Sequence, residues 1–481
     1  MVLKYLCVVL KVQLKALCLF YNLGDWSNGM TGVSKTLSGS SILSSPVKDD
    51  VFRTSSFVYV LAEKNKIKNL SLYYIKLLLY NNTYIFQNYI KGESFMKKTK
   101  LLAIITMVAL LVSSLVGCGG SKGYTSENTE FVIGVSGPLT GDAAVYGKAV
   151  QNSAQMAVDE INANGGLNGI KFRLEALDDV NDAAKVSTNY STLLEKGMQV
   201  SLGTVTTQPG LEFKEYSVDD NVFFLTPSAS GDDIPTNDNG FQMCFADGNQ
   251  GAVAATSVNA EYKNQSIGVF YKSDDPYSSG IFKQFKENID DSIEIIEAPF
   301  QTGATDYNAQ IDKLKDCKFI FMPIYYQPAS DFMIQAKTKI AADAIYFGCD
   351  GFDGLESKFD INQIPQKVTM LSHFNSKAES GPAADFIKKY TEKYGADTLN
   401  QFGASAYDCV YAIYTAMQEA IEDGKEIPVT ISASDLGDIL KDKFVNGFTY
   451  KNGVTGESIT WDEKGYVNKE AIQYVIKDAN K

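Results

Sequence analysis

From residue 131 the chain alternates short apolar runs with longer segments in which apolar side chains recur every three or four positions. Short runs bounded by Gly and Pro predict strands, and the longer period predicts helices with one buried stripe. "FVIGVSGP" predicts a buried strand, and 147–164 a helix with Ala154, Ala157, Val158 and Ile161 on one face. "GGLNGI" turns the chain into the strand "KFRLEALDD"; helices over 182–196 and 209–219 then flank a short strand at 199–202, and the strand "NVFFLTP" follows. A second round places helices over 250–262, 278–290, 306–315 and 328–340 among the strands "QSIGVFY", "SIEIIEAPF", "KFIFMPI" and "AIYFG". Alternation of this kind predicts parallel sheets wrapped by helices. Helices over 382–394, 403–422 and 433–443 come next, and the "KNG" within "GFTYKNGVTGESITWDEKGYV" predicts a hairpin-like extension.

The fold class expected is therefore α/β: two doubly wound parallel-sheet lobes joined by a multi-strand hinge. With crossings near Asp247, His373 and Val467, residues 130–247 and 376–466 make one lobe, and 248–375 and 467–481 the other. Two such lobes imply a cleft, and open parallel sheets bind ligands beyond the carboxyl ends of their strands.

Before residue 131 the pattern is different. "MKKTKLLAIITMVALLVSSLVGC" sets a basic patch at Lys97, Lys98 and Lys100 ahead of an apolar core and small residues, the three zones of a secretory signal. Its apolar stretch is shorter than the roughly 20 residues of a membrane-spanning helix. Leu115, Val116, Gly117 and Cys118 resemble the lipobox of bacterial lipoproteins, which implies lipidation of Cys118 and anchoring on the outer face of the cytoplasmic membrane. "KGESF" just before Met96 can be encoded with a purine-rich ribosome-binding sequence, so residues 1–95 read as translated upstream DNA, 96–117 as the signal and 118–129 as a flexible Gly/Ser-bearing tether.

Charge sharpens that division. The chain has 481 residues; 118–481 hold 30 Lys and Arg against 52 Asp and Glu, a net of −22. Such a balance argues against nucleic acid as a partner, because phosphate binding needs clustered cations. Only Arg53 and Arg173 are arginines while Lys, Asn, Ile and Tyr abound, a bias that points to an AT-rich genome and a low-GC Gram-positive source. Cys244, Cys317, Cys349 and Cys409 are widely spaced, without the pairing of a zinc or redox site, and read as single buried thiols.

The loops after the strands carry the candidate chemistry. "SGPLTGDAAVYG", "GTVTTQPG" and "TPSASGDD" each combine Gly or Pro with hydroxyls and then open a helix, an arrangement that serves as a cap or as an anion site. "KSDDPYSSG" offers Tyr277, "PIYYQPA" offers Tyr325 and Tyr326, and "FGCDGFDG" offers Asp350, as a turn residue or as the partner of a cation.

"IGVSGPLTGDAAVYG", "AVDEINANGGLNGIKFRLEALDD", "TPSAS" and "GVTGESITWDEKG", in that order over about 130–480, resemble the leucine/isoleucine/valine-binding proteins. The resemblance implies a type I periplasmic binding protein fold without catalytic activity, metal or cofactor. Its lobes close over an amino acid and present it, as a monomer, to an ABC permease and its ATPases. By position in the matching motifs, Thr207 and Ser230, with Thr206 beside them and backbone groups of Ser228 and Ala229, hold the ligand carboxylate; Asp350 takes the α-ammonium; Tyr146, Tyr277 and Tyr326 enclose the side chain. A sensing module of the same fold, or an amide or aromatic-acid ligand, is the alternative. An enzyme is disfavoured: His373 is the only histidine, and no P-loop, HExxH or EF-hand spacing occurs.

Overall fold

The computed structural model describes residues 128–235 and 239–478; the signal segment, Cys118 and everything else before 128 lie outside the described residues. Among the described residues no helix is long and apolar enough to cross a membrane.

The first sheet is built around strand β1 (Phe131–Gly137), every residue of which is buried. Parallel neighbours on both edges and helices on both faces leave no position exposed to water, which is why "FVIGVSG" is almost continuously apolar. The strand order is β2-β1-β3-β4-β5, all parallel, with β2 (Phe172–Asp178), β3 (Val200–Ser201), β4 (Phe224–Thr226) and β5 (Gly240–Gln242). Helix α1 (Ala144–Ala163) buries Val150, Ala154, Ala157, Val158 and Ile161. It stops at Asn164, and Gly165 and Gly166 follow at φ 101° and 68°. A Cβ on Gly166 would lie 2.0 Å from the Ile170 carbonyl oxygen, so only glycine closes this turn into β2. Helices α2 (Val186–Glu195) and α3 (Thr207–Asp220) complete the strand connections.

The chain then leaves for a second sheet, of order β13-β10-β9-β8-β6-β7. Strands β6 (Ser266–Lys272), β7 (Glu294–Phe300), β8 (Phe319–Met322), β9 (Ile345–Gly348) and β10 (Lys367–Ser372) are parallel, and β13 (Ile472–Lys477) joins the edge antiparallel. Helices α4 (Asp247–Glu261), α5 (Pro276–Asn288), α6 (Asn308–Leu314) and α7 (Tyr326–Ala336) cover it. Helices α8 (Gly381–Tyr394), α9 (Gln401–Glu422) and α10 (Ala433–Val445), with the hairpin of β11 (Thr449–Lys451) and β12 (Ser458–Thr460), return to the first lobe. There α9 lies against α1, a Cβ on its Gly403 falling 2.8 Å from Ser153 Oγ and 3.1 Å from the Ala149 carbonyl.

The crossings between sheets are pinned to one another. The Lys469 ammonium donates to the Met243 carbonyl at 2.7 Å and to Thr455 Oγ1 at 2.5 Å, and Asp408 of α9 accepts from the Val454 and Thr455 amides at 2.8 Å each. His373, in the middle crossing, places Nε2 2.7 Å from Ser405 Oγ of α9, and burial holds its imidazole well below the usual pKa. It is not among the residues that line the cavity described below. Cys244, Cys317, Cys349 and Cys409 are free and buried.

Strands β5, β10 and β13 and the start of α7 differ from the sequence reading. β5 has three residues, too few to show a period. α7 begins at Tyr326, two residues before the expected start, with Tyr325 as its extended N-cap.

Candidate functional site

Each sheet has one point where successive strands depart in opposite directions: between β1 and β3 in the first, and between β6 and β8 in the second. Loops diverging there leave a crevice at the carboxyl ends of the strands. A narrow cavity occupies it, lined by Tyr146, Val205, Thr206, Thr207, Ser228, Ser230, Tyr277, Tyr325, Asp350, Gly351 and Phe402.

Its first-lobe wall is polar. Thr206 is the extended N-cap of α3 and Thr207 its first helical residue. Neither hydroxyl has a partner among the described residues although both are buried. The amides of a helix's first turn likewise have no carbonyl within the helix to meet. Donors therefore converge on one end of the cavity. Ser230 also lines it, but its hydroxyl hydrogen-bonds the buried Asp247 carboxylate, so it is already engaged. Ala229 is turned away: its amide donates to Thr226 Oγ1 at 3.0 Å and its carbonyl accepts from Gln242 Nε2 at 3.1 Å, which leaves Ser228 as the lining residue of the pair.

The second-lobe wall is acidic. Asp350 follows β9 at the head of a 3-10 turn (Asp350–Phe352) and is 1% exposed. Tyr277 donates its hydroxyl to Asp350 Oδ1 at 2.6 Å, while Oδ2 has no partner among the described residues. Burial pushes the carboxyl up to about 6 despite the hydrogen bond from Tyr277, which pulls the other way. Asp275 is raised to about 6 and Asp353 to about 7, in each case mainly by burial; Asp247 is pushed well above its ordinary range, first by burial and then by the charge of Asp350. Of these four buried carboxyls Asp275 feels the Lys272 ammonium, and the excess of acid that remains favours a cation entering at Asp350.

Aromatic rings close the remainder. Tyr325 stacks on Tyr277 with centroids 4.6 Å apart and planes 18° apart, and Phe402 meets Tyr146 edge-on at 4.8 Å. Tyr326, expected in the wall, stands behind it. Because α7 starts two residues early, Tyr326 enters the helix, its ring edge-on to Tyr146 at 4.9 Å and its amide donating to the Tyr146 hydroxyl at 3.2 Å. Tyr325 takes the lining position. Phe402, Val205 and Gly351 escaped the sequence reading. Gly351 adjoins Asp350 and Val205 adjoins Thr206, but Phe402 is 51 residues beyond Gly351 and arrives only through the packing of α9 on α1.

The raised carboxyl of Asp350 gives binding a definite pH dependence. An ammonium beside it favours the ionised form, so affinity for a ligand that brings one should be level above pH 6 and fall by up to about tenfold per pH unit below it. Stability of the ligand-free protein has the opposite sign. Carboxyls raised above 3.8 bind their protons more tightly folded than unfolded, so their stabilisation is full below about 4 and lost as pH rises through 6 to 7. Titration calorimetry and melting curves from pH 5 to 8 check both; parallel trends would show that Asp350 does not meet the ligand.

Two parallel-sheet lobes with a polar cavity where their crevices meet define a bilobed solute-binding protein. The family model described as periplasmic binding protein matches residues 130–476, and the chain belongs to that family. Among curated proteins it is similar to the Leu/Ile/Val-binding protein BraC3 of Rhizobium johnstonii, 26% identical over 366 residues that cover 71% of this chain and 96% of that one. A leucine-, isoleucine-, valine-, threonine- and alanine-binding protein of Pseudomonas aeruginosa is 28% identical over 64% of this chain and 83% of its own. Among solved structures, the branched-chain amino acid transporter substrate-binding protein LivJ of Streptococcus pneumoniae, in complex with isoleucine, superposes with a TM-score of 0.60 at 25% identity, covering 72% of this chain and all of that one. A solute-binding protein of an ABC transporter from R. palustris, in complex with benzoate, shares the fold with a TM-score of 0.61 at 14% identity over 73% of this chain and 94% of that one. The fold is that of type I periplasmic binding proteins, and the chain is a substrate-binding protein, not an enzyme.

Proposed function

We propose that this protein captures an amino acid with a branched-chain or other apolar side chain between its lobes and delivers it to an ABC permease. One observation carries the reading: a buried carboxylate oxygen of Asp350 and the buried hydroxyls of Thr206 and Thr207, all unpartnered among the described residues, line a single cavity. A zwitterion needs an acceptor for its ammonium, donors for its carboxylate and an apolar wall between them. Asp350, the Thr206 and Thr207 end, and the rings of Tyr146, Tyr325 and Phe402 supply these in turn. An amide or an aromatic acid has no ammonium to meet Asp350, whose ionised form would then stay buried without compensation. The relatives that bind leucine, isoleucine and valine favour the same ligand class. In this reading the lobes turn about their crossings and close on the ligand, and lipidated Cys118 tethers them to the outer face of the membrane.

A thermal-shift screen of the amino acids, with benzoate and acetamide alongside, tests the proposal. A ligand selective for the folded state stabilises it by about 4 kcal/mol at a thousandfold excess over Kd. Leucine, isoleucine or valine should give the largest rise in Tm. A rise with benzoate and with no amino acid would refute the reading.

A further inference from the structure

The 3-10 turn that presents Asp350 has a second carboxylate just past its end. Asp353 is not part of the cavity lining. Its Oδ2 accepts from the backbone amide of Gln401 at 2.9 Å. Gln401 is the first residue of α9, a helix of the first lobe, whereas Asp353 belongs to the second. The N-cap Asn400 satisfies the amides of Phe402 and Gly403 and leaves that of Gln401 to another acceptor. Free first-turn amides and the positive end of a helix dipole favour a carboxylate there. Gln401 holds the same turn by its side chain as well: Nε2 donates to the Asp350 carbonyl at 3.5 Å, and Oε1 accepts from the His373 amide at 3.3 Å in the hinge. Between these anchor points the Tyr146 hydroxyl, again from the first lobe, donates to the Gly351 carbonyl.

We propose that Asp353 is a positioning residue, a latch that caps α9 across the cleft and holds the Asp350 turn against the ligand only while the lobes are closed. The inference rests on the closure reading above. Opening the cleft separates Asp353 from Gln401 and returns both to water. Ligand escape requires that separation and encounter does not, so the latch governs the dissociation rate far more than the association rate.

The structure provides a selective way to remove the donor. Proline is well tolerated at the first position of a helix, and Asn400 before it is already extended at φ −154° and ψ 174°. Gln401→Pro thus deletes the amide hydrogen with Asp353 in place, while Gln401→Ala deletes only the side chain. The experiment uses the full chain with leucine as probe, stopped-flow dissociation for the rate and solution scattering with and without leucine for closure. At pH 8, where Asp353 is ionised, Asp353→Ala and Gln401→Pro should each speed leucine release about tenfold, the size expected for one hydrogen bond to a charged group. Association should stay near the wild-type rate, Gln401→Ala should release leucine more slowly than Gln401→Pro, and the double variant should be no faster than Gln401→Pro alone. Wild-type release from both single variants, with normal compaction of the wild type by leucine, would overturn the latch and leave closure standing. Additive losses would also overturn it. Failure of leucine to compact the wild type would remove the closure reading and the latch with it.

Discussion

Replacing Asp350 with alanine should cost the protein most of its affinity for amino acids while leaving its fold intact. Truncating one partner of a buried, hydrogen-bonded charge pair costs about 2–5 kcal/mol, equivalent to about thirty- to several-thousand-fold in Kd at ~1.4 kcal/mol per tenfold. The unpartnered Oδ2 is what identifies Asp350 as the residue that pays this cost: its other oxygen is already occupied by Tyr277, so the free one is available to a ligand. The fold should survive because the buried carboxyl, raised to about 6, opposes folding at neutral pH in the absence of ligand. Tyr277 keeps a second partner in any case, since its hydroxyl accepts from the Gly351 amide at 3.0 Å. The variant should therefore melt no lower than the wild type at pH 8 and yet show no thermal shift with leucine. Retained affinity in calorimetry would take Asp350 out of the site, and a large fall in Tm would assign it a structural role. Asp350→Asn, which preserves the shape and the acceptor for Tyr277, should bind weakly as well, because the missing element is charge.

The second large effect is expected at Gly147, which no inspection of the ligand would single out. A Cβ placed there would lie 2.1 Å from the Pro138 carbonyl oxygen and 2.6 Å from its carbon, both backbone atoms of the loop after β1. Backbone cannot rotate aside as a side chain can, so Gly147→Ala must push the first turn of α1 away from that loop. Overpacking of this kind costs about 1–3 kcal/mol, occasionally more. Tyr146 is the preceding residue and would move with the turn, loosening its contacts with Gly351 and Tyr326 and weakening leucine binding along with stability. Gly280, inside α5 with no atom within 4 Å of its would-be Cβ, is the matched control. There alanine should stabilise by about 0.5–1 kcal/mol, as it does at unstrained helix positions. Denaturant unfolding of both variants decides the matter, and equal effects of either sign would show that the close approach at Pro138 is relieved without strain.

How much of this was legible beforehand depended on the kind of signal each residue carried. The strand and helix alternation was plain because buried parallel strands and one-sided helices each leave a period in the sequence, as in β1 and α1. β5 left none, being three residues long, and β13 was hidden because Ile472 and Val475 lie exposed on an edge strand instead of alternating into a core. Within the site, the loops that follow strands, where an α/β fold collects polar groups, offered Tyr277 and Asp350 as candidates, while Thr206 and Thr207 were singled out only by the family resemblance. The sequence reading places Tyr326 in the wall, whereas α7 begins two residues before its expected start and Tyr325 lines the cavity instead. Helix ends are decided by caps and tertiary contacts more than by propensity.

The amino-acid order by itself determined the α/β class, the acidic character, the lobed organisation expected from two rounds of strands and helices, and the loops that could meet a ligand. These are local properties, set by periodicity, turn chemistry and charge within short windows. Tertiary structure alone decided that Phe402 reaches the cavity, that Ser230 is engaged by Asp247 while Thr206 and Thr207 stay free, and that Asp353 caps a helix of the opposite lobe. Each of those facts joins residues from separate elements, and their distances are fixed only when the two sheets and α9 have packed together.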